Sequence, residues 1–423
     1  MGIKVSGRPD VAIVAIETGL PDASVAAVFT SNALVAAPLL LSQQYLRALS
    51  PSGNGRHGWS RGVVCTAGCA NAATGPDGLA DQERIAKGFA RGLGTDPERT
   101  LAMSTGVIGT RLPADRLAPE IALLAGEGLS DGPIALGAAA EAMCTTDSRP
   151  KSATVQLTLP DGSGRPVPIT VSGIAKGVGM IHPQMATMLA IVLTDAEVDP
   201  LVLHGLLRPV TARTWDQLTV DGDTSTNDTV FLFASGASGS APIRAGSPEA
   251  ATLRDGIEAV ARSLARQQAA DGEGATTLIT CQVTGATDDA AARAVARAVV
   301  ASSLVKAAVH GRDPNWGRIA AAAGNARVAS ATVLEAAGMS VDEARRRAGE
   351  PVPLDPARLR IAICGRDVFD GIRLPFQRTD VRALMDSSEV IIRLDLGLGD
   401  GQGEAFGCDL TEVYVVENAE YTT

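Results

Sequence analysis

The stretch Gly173-Ile174-Ala175-Lys176-Gly177-Val178-Gly179-Met180-Ile181-His182-Pro183-Gln184-Met185-Ala186-Thr187-Met188-Leu189 decides how the rest of the chain is read. A glycine-rich loop runs directly into an apolar run. Glycine reaches backbone torsions closed to other residues, and Met188 to Leu193 has the texture of a buried strand. The peptide bond before Thr187 can therefore be held under strain. If Thr187 Oγ1 attacks the Ala186 carbonyl, an N-to-O acyl shift and hydrolysis expose Thr187 as a new amino terminus. An α-amino group titrates near ~7.7–8.0, so it can take the hydroxyl proton without a histidine. Threonine with its own amine is one variant of the serine triad. An isolated Ala-Thr pair would more simply be a β-branched residue entering a strand.

Outward from this stretch, β-like runs at Val11 to Ile16, Ala26 to Thr30 and Gly62 to Thr66 alternate with helical segments, a mixed α/β pattern. The spacing predicts one helix from about Asp81, carrying Ile85, Phe89 and Leu93 on one face and ending at Gly94. A second places Leu253, Ile257, Val260 and Leu264 together and leads into Asp271-Gly272-Glu273-Gly274. Ser235 to Pro248 and Gly349 to Pro356 read as surface connections, and Ile361 to Cys364 and Val390 to Leu394 as strands. At 423 residues the chain exceeds one ordinary core. We expect a boundary near residue 275, with 1–275 as one domain and 276–423 as the second.

Composition narrows the function classes. Hydrophobic residues make up 45% and aromatics only 3%, so the core must be filled by Ala, Val, Leu and Ile. Acidic residues outnumber basic ones, 47 to 37, and no basic run interleaves with aromatics, which argues against nucleic acid as a partner. The Arg345 to Arg347 cluster reads as a solvated helix face. No apolar stretch approaches the ~20 residues of a membrane span. Six dispersed cysteines (65, 69, 144, 281, 364 and 408) fit reduced thiols and a cytoplasmic location.

Several further blocks could carry chemistry. Ser104-Thr105-Gly106-Val107-Ile108-Gly109 could aim a hydroxyl and an N–H at a developing negative charge, and alone would be an ordinary Thr-Gly turn. Met143-Cys144-Thr145-Thr146-Asp147 presents adjacent hydroxyls, Lys176 a cation, and Glu273 a carboxylate suited to amino groups. The 220–229 block is rich in oxygen, but without calcium-loop spacing or His and Cys ligands it reads as hydrogen-bonded loop, and we assign no metal. Cys65 and Cys69 have no second pair to complete a zinc site and read as buried thiols. His310, in His310-Gly311-Arg312-Asp313-Pro314-Asn315-Trp316-Gly317-Arg318, reads as structural, since an N-terminal threonine needs no separate base.

The 173–189 stretch resembles the self-processing signature of the ornithine acetyltransferase family, and the other blocks follow in the family's order over almost the whole chain. The resemblance implies an α/β (α+β) fold of the DmpA/ArgJ-like, N-terminal-nucleophile-like type, a layered sandwich with a smaller α+β C-terminal domain. It implies cleavage between Ala186 and Thr187 into an α chain, 1–186, and a β chain, 187–423, assembling as a heterotetramer of two of each. Thr187 would be the nucleophile and Thr105 and Gly106 the oxyanion hole. Thr145, Thr146, Lys176, Thr187, Glu273, Asn418 and Thr423 would contact substrate.

The implied reaction moves an acetyl group from N2-acetylornithine to glutamate for arginine biosynthesis, without a cofactor and with acetyl-CoA open as a second donor. Rival readings are an aminopeptidase-like amidohydrolase, a side-pathway acetyltransferase paralogue and an uncleaved scaffold. The family's Asn-rich stretch is replaced around Cys65 to Gly75, with Thr66 and Cys69 in place of amides, so hydrogen bonding near the cleft should differ. The family also usually has an element ahead of this chain's start, which leads us to expect a weakened first sheet.

Overall fold

The computed structural model describes residues 1–4, 6–17, 19–182 and 188–420. Three sheets organise it. The first has β1 (Val11–Ala15), β4 (Gly62–Cys69) and β5 (Thr100–Val107) in the order β1-β4-β5. The second has β2 (Ala23–Phe29), β3 (His57–Ser60), β6 (Lys151–Pro160), β7 (Pro166–Lys176), β8 (Leu189–Thr194) and β9 (Thr229–Ala234) in the order β3-β2-β9-β8-β7-β6. β1 pairs with β4 at five positions, Val11 opposite Thr66 to Ala15 opposite Gly62, so the first sheet is intact at its β1 edge.

The two sheets face each other. Ala12, Val63, Cys65, Leu101 and Met103 of the first pack against Val25, Ile174, Leu189, Ile191, Phe231 and Phe233 of the second, as alternation in half-buried strands requires. The first sheet's outer face, including Val64 and Ala102, packs on Ile85 and Phe89 of α2 (Gly75–Leu93) and on Leu117 and Ile121 of α3 (Ala114–Gly126). α1 (Ala37–Leu49) also lies along this sheet, its Ser42 hydroxyl donating to the Ala102 carbonyl of β5. α4 (Gly132–Met143) contributes Ala140 and Met143 between the sheets. The second sheet's outer face receives α5 (Pro200–Arg213) and α6 (Pro248–Ala270) through Leu203, Leu207, Ile257, Val260 and Leu264. The result is a four-layer α/β/β/α sandwich.

Gly173 explains one close contact in that stack. A Cβ there would lie 2.9 Å from Val260 Cγ1 and 3.0 Å from Leu264 Cδ1, so the bare backbone lets α6 settle on β7. The third sheet contains β10 (Leu278–Ala286), β11 (Arg360–Ile363), β12 (Arg366–Asp370), β13 (Ile372–Arg373), β14 (Glu389–Asp395) and β15 (Gly401–Cys408), in the order β13-β12-β11-β14-β10-β15. It forms its own core with α7 (Asp289–Ala301), through Cys281, Val283, Val295, Val299, Ile361 and Ile392. From its far side Phe406 reaches the core under α6.

One helix boundary differs from expectation. α2 starts at Gly75, not near Asp81, because Pro76 occupies the first turn, where its missing N–H costs nothing. Asp81 lies inside the helix and ion-pairs with Arg84 and with Arg111. Gly94 ends the helix at φ 65°, as expected. Leu264 is fully buried in the layer under β7, so Leu264→Ala should cost ~2–5 kcal/mol of stability, read from the urea midpoint at unchanged m-value.

Candidate active site

A cleft of about 440 Å³ opens where the ends of β5 and β7 meet the loops after α4 and α6. Its lining includes Thr105, Gly106, Thr145, Thr146, Lys176, Glu273 and Asn418, every expected site residue that the structure describes. Thr187, Ala186 and Thr423 lie outside the described residues. His182 and Met188 are the described neighbours on either side of the expected cleavage position.

Thr105 and Gly106 sit at the end of β5, where β4 departs from regular register at Gly68 and Cys69. At Gly106 φ is +128°, and a Cβ would fall 2.2 Å from the Gly68 carbonyl carbon, so the strands can close only on glycine. Beneath them Asn227 Nδ2 donates to the carbonyls of Ala70 (2.8 Å) and Ser104 (2.9 Å). That amide ties the ends of β4 and β5 together. Next to it, the fully buried Asp228 accepts the Met188 N–H through Oδ1 at 3.0 Å, and burial pushes its carboxyl well above the usual carboxylate range.

Lys176 closes β7. It is buried, so it is no solvated surface lysine, and its ammonium donates to Thr105 Oγ1 (3.1 Å) and Thr145 Oγ1 (2.8 Å). A hydroxyl oxygen that accepts from lysine has its own hydrogen left to donate. Glu273 is gripped from two sides, by the Thr146 hydroxyl at 2.8 Å and by Asn418 Nδ2 at 2.9 Å from the C-terminal helix Glu412–Glu420. One carboxylate thereby joins residues 127 and 145 positions away.

Sequence reasoning missed the group that holds these parts in place. Asp147 is fully buried and accepts four hydrogen bonds or charges. Lys151 Nζ (2.7 Å) and the Gly177 N–H (2.9 Å) meet Oδ1, while the Thr145 N–H (3.1 Å) and, at 3.9 Å, Lys176 Nζ meet Oδ2. Lys151 uses its remaining donors on Asp271 Oδ2 (2.6 Å) and the Arg149 carbonyl (3.2 Å). Asp271 caps the path from α6 to Glu273 and also accepts the Ser148 N–H. Asp147 lies inside the Met143 to Asp147 block, but nothing local signals that Lys151 joins it to Asp271.

The remaining blocks fall beside the cleft. Asp221 accepts the Met180 and Ile181 N–H groups and the Thr224 hydroxyl donates to the His182 carbonyl, so the 220–229 block is hydrogen-bonded loop. His310 Nδ1 lies 3.1 Å from Asp409, whose carboxylate also receives the Thr276 and Thr277 N–H groups at the start of β10. All six cysteines are free thiols, and burial pushes the Cys65 thiol up to about 12. Where amides were expected, Thr66 Oγ1 is buried without a hydrogen bond among the described residues and Cys69 donates to the Thr110 carbonyl.

The layered fold and this convergent polar cleft define an α/β enzyme acting on a small molecule. A family model described as the ArgJ family matches residues 1–423. The arginine biosynthesis bifunctional protein ArgJ of Thermus thermophilus is 44% identical over 425 residues, covering 100% of this chain and 96% of its own. The protein of the same name from a Synechococcus strain is 44% identical over 427 residues, covering 100% and 94%. A crystal structure of ArgJ from Bacillus halodurans is 36% identical, covering 54% of this chain and 96% of its own with a TM-score of 0.47. The chain belongs to the ArgJ family.

The Asp147 cluster has a pH signature. Burial alone would raise the Asp147 carboxyl, but Lys176, Lys151 and the Gly177 N–H outweigh it and hold the group below its ordinary 3.8. A carboxyl depressed by folding contributes stability that is complete above the unfolded pKa and lost as pH falls through the folded one. Urea midpoints taken from about pH 6 to about pH 3 should therefore fall less steeply in Asp147→Asn than in the parent. At neutral pH that variant should be the less stable of the two, because a neutral amide leaves Lys151 and Lys176 without their shared counter-charge.

Proposed function

We propose that this protein is a self-processing acetyltransferase of arginine biosynthesis that carries an acetyl group from N2-acetylornithine to glutamate on Thr187. The observation that carries the proposal is the convergence of Thr105, Gly106, Thr145, Thr146, Lys176, Glu273 and Asn418 on one cleft, from positions spread over most of the chain. Family membership supports the same chemistry. The relatives' names place them in arginine biosynthesis and call them bifunctional, which supports acetyl-CoA as a second donor.

In the first step Thr187 Oγ1 attacks the Ala186 carbonyl carbon, the bond to nitrogen 187 breaks, and the acyl group rests as an ester on the hydroxyl. Water then cleaves the ester. Ala186 keeps the new carboxylate and Thr187 the new amine. In turnover that amine takes the Oγ1 proton while the oxygen attacks the acetyl carbonyl of the donor. The Thr105 hydroxyl and the Gly106 N–H receive the negative charge that develops on the carbonyl oxygen.

As the carbon–nitrogen bond breaks, the proton passes to the departing ornithine amine. Glutamate's neutral amine then attacks the acetyl ester through a second oxyanion in the same hole, the bond from the acetyl carbon to Thr187 Oγ1 breaks, and the proton lost by the attacking nitrogen returns through the Thr187 amine to Oγ1, giving N-acetylglutamate and the free enzyme. Glu273, fixed by Thr146 and Asn418, suits ornithine's cationic side chain, and Thr423 would close the site from the chain's end. Residues 1–275 would form the nucleophile domain and 276–423 the second domain. Two α and two β chains would assemble in the cytoplasm, with no resident cofactor.

Denaturing electrophoresis and intact mass should give two pieces, residues 1–186 and 187–423, in the parent and one unbroken chain in Thr187→Ala, which should also lack transfer. Acetyl transfer by an unbroken chain would sink the mechanism. Thr105→Val, which keeps the shape and removes the donor, should lower kcat by ~10²–10³ in an assay following labelled ornithine into N-acetylornithine. If acetate accumulates at the same rate with and without glutamate, the hydrolase reading replaces the transferase one.

A further inference from the structure

A second cavity, of about 180 Å³, lies away from the cleft between α7 and His182. α7 presents Arg293 and Arg297 one turn apart, with Ala290, Ala294, Ala298 and Ala301 leaving room beside them. His182, Gln217 and Arg327 line the remaining sides. Two like charges at this helical spacing repel each other unless something negative joins them.

The described residues supply too little of that negative charge. Neither Arg293 nor Arg297 makes a hydrogen bond or ion pair among them, and Arg297 Nε is fully enclosed with no acceptor. Asp216 is the buried carboxylate whose charge acts on this group, and its field is shared among Arg208, Arg293 and Arg297. Asp288, near Arg293, is already paired with Arg347 at 2.7 Å, and Asp289 accepts the Gln402 N–H at 2.9 Å. Burial and then the charge of Arg297 hold His182 down to about 4, and burial lowers Arg297 itself to about 10.

The cavity also carries an acceptor without a donor. Gln217 Oε1 is enclosed and bonded to nothing among the described residues, while its amide nitrogen donates to the Ala212 carbonyl. His182 uses Nδ1 toward the Thr219 hydroxyl at 3.1 Å and is neutral near pH 7, which leaves it too without a charge to offer an anion. An occupant must therefore bring several acceptor oxygens for guanidinium groups and at least one hydroxyl for Gln217. The space equals roughly six waters, enough for a small oxyanion and too little for an amino acid with its side chain.

We propose that this cavity is a binding site for hydrogen phosphate, held by Arg293 and Arg297 and donating its hydroxyl to Gln217. Bound there it joins α7 of the third-sheet unit to the loop that leads into the 183–187 stretch. It is independent of the acetyl-transfer reading, because none of its residues lines the catalytic cleft.

Calorimetric titration of the whole purified protein with inorganic phosphate tests this, with sulfate and acetate run in parallel at matched ionic strength in chloride. Saturable phosphate binding is expected, at least about tenfold tighter than sulfate or acetate, since only phosphate brings a donor. Arg293→Gln and Arg297→Gln should each weaken it about tenfold or more while the KM for N-acetylornithine stays unchanged. Arg297 is the more enclosed of the two, so Arg293→Gln carries the test if the other variant does not fold. Absence of saturable binding, equal affinity for sulfate, or unchanged phosphate affinity in Arg293→Gln would each overturn the proposal.

Discussion

The geometry of the cleft depends on one buried carboxylate meeting two buried ammonium groups. Asp147, Lys151, Lys176 and Asp271 lie almost wholly out of water, two positive and two negative, and each charge is matched by a neighbour. Removing such charges from water is costly, and a hydrophobic replacement of similar volume would often be as stable. What the polar version adds is direction. Asp147 takes the N–H of Thr145 from one loop and of Gly177 from another, which fixes the distance between the hydroxyl pair and the glycine-rich stretch. Lys151 then joins that centre to Asp271, and so to the turn that presents Glu273.

Much of this was legible in the sequence, and the missing parts have physical reasons. The cleft residues sit in short blocks whose composition betrays them: glycine where strands must touch, paired hydroxyls, a carboxylate in a glycine-bounded loop. Lys151 gave no such signal. It opens a strand whose next seven residues alternate between exposed and half-buried, and its burial comes with Asp271, 120 residues away. Asn227 reads in the sequence only as part of an oxygen-rich loop, because its partners Ala70 and Ser104 lie at the ends of β4 and β5 and only the stacking of one sheet on the other brings them to it. The early start of α2 was readable from Gly75-Pro76, and the acidic Asp81 drew attention away from it.

The fold accounts for why so polar a cleft can stand on a core almost free of aromatics. Small side chains let layers approach closely, as Gly173 shows where α6 rests on β7, and close approach brings the end of α6 to the end of β7. There Gln268 donates to the Lys176 carbonyl at 2.8 Å while its own carbonyl receives the Trp215 indole N–H at 3.1 Å. Trp215 serves there, deep in the layer, as a fixed donor that orients an amide.

That chain of fixed donors ends at the reacting position of the proposed mechanism. Gln268 holds the carbonyl and Asp147 the N–H of the peptide that joins Lys176 to Gly177, which fixes the backbone from which the Lys176 ammonium reaches Thr105 and Thr145. With the Thr105 oxygen committed as an acceptor, its hydrogen is left to be donated elsewhere before any substrate arrives. A donor already oriented requires no reorganisation as the oxyanion forms, which is where the largest share of such catalysis arises. On this view Lys176 contributes less by attracting a substrate carboxylate than by deciding which way a neighbouring hydroxyl points, a role that its charge performs from beneath the site.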